Sequence, residues 1–297
     1  MQQPIPLQKG DQIALSAPAR KITAEELAPA IKRIEQAGFE VVYDNRLFAV
    51  DNQFAGNDRL RTELLQQYLD DPAIKAVFFV RGGYGSLRIV DQLDFSKFSK
   101  SPKWLVGYSD ITVIHAKVQQ LGFESLHASM PINFENNTET ALQSLFNALE
   151  NKFQTVTLTH HPLNRNGEAE APIVGGNLST LYSLLGSALF PDTKGKILFL
   201  EDLDEYLYHI DRMMLALKRT GKLTHLAGLI LGGMTAMNDN SVPFGKTAEE
   251  IIAEHVSAFD YPVCFGFPAG HLKDNRPLAL GRKSRLAIAA DQLVFKQ

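Results

Sequence analysis

One cysteine, Cys264, stands among 297 residues, so no intramolecular disulfide can form and an oxidising compartment gains no support. Its neighbours, Pro262-Val263-Cys264-Phe265, read as a buried strand. An excess of positive charge is missing as well. The formal net charge is -3 and the pI is near 6.2, which removes the usual prompt for nucleic acid or anionic lipid as partner. No apolar run approaches the ~18 residues of a membrane span. The first residues, Met1-Gln2-Gln3-Pro4-Ile5-Pro6, lack the basic and apolar regions of a signal peptide. The expected location is the cytoplasm, with neither a membrane nor nucleic acid as partner. Metal chemistry lacks its ligands, since there is no His-Glu-x-x-His and one cysteine cannot build a zinc cluster.

What is present is an ordinary globular composition, 45% hydrophobic and 21% charged, with length for one large domain or two modest ones. From Asp11 to about Glu150 apolar strands alternate with helical segments. Gln12–Ser16 is a short apolar run, and Thr23 with Glu26 forms a capping box. Leu27, Ile31, Ile34 and Ala37 follow at helical spacing up to Gly38. Phe39–Tyr43 is the next expected strand, and Asn57 or Asp58 caps a helix through Leu60, Leu64, Leu65 and Tyr68. Ala76–Val80 and Trp104–Gly107 are continuous apolar runs, as strands covered on both faces should be. The alternation predicts a parallel sheet flanked by helices.

The polar, turn-rich stretch around Thr159-His160-His161-Pro162 and Asn164-Arg165-Asn166-Gly167 is the expected boundary. The predicted division is therefore a first α/β domain over residues 1–155, a linker over 156–170 and a smaller α/β domain over 171–297. In the latter, strands are expected at Lys196–Leu200, Ala227–Leu231, Val263–Phe265, Arg285–Ala289 and Leu293–Phe295, the last two joined by a hairpin turn at Asp291-Gln292. Helices are expected near Leu178–Leu185, Glu205–Arg219 and Thr247–His255.

Ligands of open parallel sheets sit beyond the carboxyl ends of the strands, and three segments fall there. Arg81-Gly82-Gly83-Tyr84-Gly85 lets backbone N–H groups approach a ligand, as an oxyanion or phosphate site needs; a tight strand-to-helix turn is the plain alternative. It carries neither the Gly-Lys-Ser/Thr of a phosphate loop nor the spacing of a dinucleotide fingerprint. In Gly107-Tyr108-Ser109-Asp110 a serine between a buried strand and a helix can occupy a sharp elbow, although Ile111 stands where the elbow pattern has glycine. The competing role of Ser109 or Asp110 is to cap the helix. Glu201 ends the run Ile197-Leu198-Phe199-Leu200 and is placed to orient a base; the acids after it are explained by helix capping or a divalent cation. Of eight histidines, His271 differs by lying in the Gly/Pro loop Phe267-Pro268-Ala269-Gly270-His271 after a strand, where catalytic residues collect. A lone histidine in a loop is otherwise incidental.

Taken together, Arg81-Gly82-Gly83-Tyr84-Gly85, Gly107-Tyr108-Ser109-Asp110, Gly175-Gly176-Asn177-Leu178-Ser179, Leu200-Glu201-Asp202 and Gly270-His271 occur in the order seen in LD-carboxypeptidases. These are the serine peptidases also called muramoyltetrapeptide carboxypeptidases, and the chain resembles them from about Gly10 to Phe295. The resemblance implies Ser109 as nucleophile, His271 as general base and Glu201 as the acid orienting it, with backbone N–H groups near Gly83 and Asp110 forming the oxyanion hole. It further implies a muropeptide substrate that loses its terminal D-alanine, no metal or organic cofactor, action in cell-wall recycling, and a homodimer. Arg81 is a candidate for the substrate carboxylate, with a pairing to a neighbouring acid as the alternative. Two other readings compete. One is a microcin-immunity-type peptidase cleaving a peptidyl-nucleotide, which needs an aromatic platform that Trp104 is poorly placed to give. The other is a non-catalytic two-domain ligand-binding protein.

Overall fold

The computed structural model describes residues 1–297. The N-terminal half builds β1 (Gln12–Ser16), α1 (Ala24–Gln36), β2 (Glu40–Val42), α2 (Asp58–Asp70), β3 (Ile74–Phe79), α3 (Ser86–Ile89), α4 (Ser96–Lys100), β4 (Trp104–Gly107), α5 (Thr112–Gln120), β5 (Ser125–His127) and α6 (Glu139–Leu149). Local chemistry sets several of these boundaries. Thr23 and Glu26 exchange hydrogen bonds as the anticipated capping box, and Asn57 accepts from the Leu60 N–H. The strand anticipated at Phe39–Tyr43 is shorter, because Phe39 instead folds back with its N–H on Ile34 at the helix end.

The C-terminal half follows with β6 (Val156–Thr159), β7 (Gly167–Asn177), α7 (Leu178–Ser183), β8 (Ile197–Leu203), α8 (Leu207–Arg219), β9 (Gly228–Thr235), α9 (Ala248–Val256), β10 (Val263–Cys264), β11 (Leu278–Leu280), β12 (Lys283–Ile288) and β13 (Gln292–Lys296). The hairpin anticipated around Asp291 is present as the antiparallel pair β12–β13.

Two sheets result, both covered by helices, so the α/β class is as expected. The first has the order β11-β5-β4-β3-β1-β2 and is parallel apart from β11. The second has seven strands, β10-β9-β8-β7-β12-β13-β6. Its half from β7 to β10 is parallel and its other half antiparallel.

The anticipated linker, 156–170, is different in structure. Val156–Thr159 is an edge strand of the second sheet, and Gly167 already begins β7. Its polarity comes from edge position, where one face and one row of backbone groups meet water. Nor do the halves divide cleanly, since β11 belongs by sequence to the second half and by pairing to the first sheet. One apolar cluster joins Val113 and Ala116 of α5 to Val174, Leu178 and Leu181, so the seam between the halves is packed core.

Candidate active site

The chemistry-bearing residues lie after β4, in the C-terminal part of β8 and in the loop that follows β10. Ser109 follows β4 after the single residue Tyr108 and has a φ of 64°. A non-glycine residue in this left-handed region carries about 1–3 kcal/mol of strain that the surrounding structure must hold, and a sharp strand-to-helix elbow is one place where it is held. The glycine that the elbow pattern wants is absent, yet the bend is made. Crowding explains what comes beside it. A Cβ on Gly82 would stand 3.2 Å from Ser109 Cβ and 3.4 Å from Oγ, so a larger residue there would press on the elbow.

The loop after β3 and the elbow are tied together. The Ser86 N–H donates to Asp110 Oδ2 at 2.8 Å. Burial raises the Asp110 carboxyl above its usual range, and the backbone donor and Arg61 act against that rise. Asp110 therefore serves as a buried clasp with its side chain turned from the substrate side, while its backbone N–H opens the helical turn. Gly83 N–H has no backbone acceptor. These are the two donors anticipated for an oxyanion hole.

Glu201 lies within β8, which runs on to Leu203 rather than ending at Leu200 as anticipated, and it has no exposed surface. Its Oε2 accepts from the His271 backbone N–H at 3.2 Å and meets His271 Nδ1 at 2.6 Å. Gly270 makes this approach possible. It has a φ of +100°, and a Cβ there would lie 2.6 Å from Glu201 Oε2. The loop is pinned from both halves: Thr235 Oγ1 donates to the His271 carbonyl, Asn275 Oδ1 accepts from the Gly270 N–H, and Asn137 Nδ2 donates to the Lys273 carbonyl. Burial lowers the His271 pKa, but the charge and hydrogen bond of Glu201, aided by Asp202, outweigh that and leave it raised above 6.5. Asp202 is itself pushed up to about 7, by burial and then by the neighbouring Glu201 charge.

His271 and the elbow meet through Tyr108, the residue before Ser109, whose ring centroid is 4.7 Å from that of His271. No hydrogen bond joins His271 Nε2 to Ser109 Oγ in this state; the His271 ring is bonded to Glu201 alone. Such bonds are often loose before substrate arrives. Arg81 is engaged elsewhere: its Nη1 donates to the Lys21 carbonyl at 3.3 Å and stands 3.5 Å from Glu26. Trp104 is fully buried in β4 and offers no stacking face.

Several contributors escaped the sequence reading. Tyr108 also stacks edge-on against His127 at 5.8 Å. His127 is fully buried, its ring nitrogens are without partners, and burial holds its pKa well below 6.5, so it is a neutral ring under the site. The Gly175-Gly176-Asn177 motif proves to be a seam rather than a ligand loop. The Asn177 N–H donates to Thr112 Oγ1 at 3.0 Å, and the Asn177 side chain donates to Asp202. No signal in a single sequence links residues so far apart.

A serine on a strained elbow, and a buried carboxylate–imidazole pair whose ring packs on the preceding Tyr108, are the parts a serine hydrolase uses. Comparison with known proteins narrows this. Residues 13–128 match the LD-carboxypeptidase N-terminal domain and residues 170–286 the LD-carboxypeptidase C-terminal domain. The chain belongs to the LD-carboxypeptidase family and is an enzyme of the serine carboxypeptidase type; the non-catalytic reading is thereby set aside. It is 34% identical to a probable murein peptide carboxypeptidase of Bacillus subtilis, over 99% of this chain and 94% of that protein. It resembles the crystal structure of muramoyltetrapeptide carboxypeptidase from Oxalobacter formigenes with a TM-score of 0.87 and 29% identity, over 96% of this chain and 99% of that one. The microcin C7 self-immunity protein MccF has the same fold, with a TM-score of 0.88 at 21% identity over 99% and 98% of the two chains.

Proposed function

We propose that the enzyme releases the terminal D-alanine of murein tetrapeptide by hydrolysing the LD peptide bond before it. The observation that carries this reading is Ser109 held at a φ of 64° against Gly82, opposite the 2.6 Å His271–Glu201 pair. His271 Nε2 takes the Ser109 proton as Oγ attacks the scissile carbonyl. The tetrahedral oxyanion is received by the N–H groups of Gly83 and Asp110, each worth about 3 kcal/mol in comparable sites. His271 then protonates the departing amine of D-alanine, leaving an ester on Ser109 that water, deprotonated by His271, cleaves. Glu201 fixes the imidazole tautomer and compensates its transient charge. The chemistry needs neither metal nor organic cofactor. A cytoplasmic homodimer acting on recycled wall peptides, with the Ser109 half and the Glu201–His271 half as its two domains, completes the reading.

Incubation with murein tetrapeptide, followed by mass spectrometry, should show D-alanine and tripeptide. Absence of D-alanine, with cleavage of a peptidyl-nucleotide instead, would reverse the choice in favour of MccF-type chemistry.

A further inference from the structure

A carboxypeptidase must hold the free carboxylate of its substrate, and the arginines around the β3 exit loop differ sharply in their availability. Arg61 is buried on Asp58 and on the carbonyls of Gly56, Pro18 and Gly85. Arg88 is bidentate on Asp58, and Arg81 is turned to Glu26. Arg20 alone in this group has no carboxylate, carbonyl or ring partner for its guanidinium. It is exposed, and it lies in the loop after β1, next to β3 in the sheet. Its stem is laid across Gly83: a Cβ there would fall 2.5 Å from Arg20 Cδ and 2.7 Å from Nε. The Arg20 N–H also donates to the Gly82 carbonyl at 3.4 Å. An unpaired cation therefore lies over the residue that follows the one touching Ser109.

We propose that Arg20 binds the terminal carboxylate of the substrate and makes the enzyme an exopeptidase. The inference rests on the carboxypeptidase reading above and supplies the charge recognition which that reading leaves open. The terminal carboxylate lies one residue past the scissile carbonyl, about 4 Å away along the chain. A group adjoining the oxyanion loop reaches that distance, whereas one behind it does not. Guanidinium suits the task because its fork meets a carboxylate through two parallel hydrogen bonds.

The test compares murein tetrapeptide with the same peptide ending in D-alaninamide, which keeps every contact except the charge. Wild type should prefer the acid. Arg20→Gln keeps most of the stem over Gly83 and removes the charge; it should raise KM for the acid about 10- to 100-fold, the span expected for a charge-assisted pair. It should leave kcat/KM for the amide within about twofold, so the acid-over-amide preference collapses. Arg20→Lys should recover part of that preference through charge without the fork. Unchanged KM and undiminished preference in Arg20→Gln would remove Arg20 from the role and leave the carboxypeptidase reading intact. A wild type that releases no D-alanine overturns both.

Discussion

The carboxyl-end regions of β4 and β8, one in each sheet and here called the two edges of the site, solve different problems. After β4 the protein presents the proposed nucleophile by backbone conformation: Ser109 is held at positive φ and packed against Gly82. From within β8 it holds the proposed base by electrostatics. A fully buried carboxylate grips an imidazole, and a loop fixed from both halves holds the pair. One edge stores strain and the other stores charge. The difference implies that substitutions on the two edges should fail in kinetically distinct ways.

Removing the nucleophile tests the first edge most severely. Ser109→Ala should cut kcat by about 10⁵-fold or more, the scale seen when a serine nucleophile is deleted, with the melting temperature unchanged or raised because a residue smaller than serine relieves crowding at the elbow. Retained hydrolysis would show that another group attacks. On the second edge, Glu201→Gln should lower kcat about 10³- to 10⁴-fold, since the imidazole loses both its orientation and its counter-charge. Here the pH profile carries more information than the rate. The base must be neutral to act, so raising its pKa moves the acid limb of kcat/KM upward. In wild type that limb should lie above pH 6.5, because Glu201 outweighs burial at His271. In Glu201→Gln burial outweighs the one remaining upward influence, the Asp202 charge, and the limb should move below 6.5. An unmoved limb would mean that Glu201 does not set the titration. Gly270→Ala probes the same pair without touching either member. Its methyl would meet Glu201 Oε2 at 2.6 Å, and a displaced base should cost about 10²-fold in kcat, with covalent labelling of Ser109 slowed in proportion. Thr112→Val gives the smallest expected effect and addresses the seam that aligns the edges. It leaves the Asn177 N–H unpaired, which costs about 1–3 kcal/mol and should lower the melting temperature by a few degrees.

Much of the architecture was legible because its signals are local. The Thr23–Glu26 box, the Asn57 cap and the apolar strands before Gly82 and Gly107 each declare themselves within a few residues. Glu201 and His271 were legible as strand-exit residues, and the ordered motifs joined them to Ser109. What escaped depends on distance along the chain. Arg20 meets Gly83 from another strand, and Thr112 meets Asn177 from the other half. Val156–Thr159 reads as linker because, half-exposed at a sheet edge, it lacks the continuous apolar run that marks the buried strands. Arg81 sits in the expected loop, but its partner, Glu26, is chosen by a helix packed beside it.

The return of the chain as β11 has an evolutionary consequence. From β6 to β10 the chain is in the second sheet; at Leu278–Leu280 it closes the first sheet against β5, then leaves again for β12. A polypeptide stopping after α6 would carry the nucleophile but expose the edge of β5, with its row of unpaired backbone groups open to other chains. The halves are therefore not interchangeable modules. Recombination that swapped one for the other would have to carry β11 across the boundary or yield a protein prone to edge-to-edge association, so the nucleophile and its base are constrained to be inherited together.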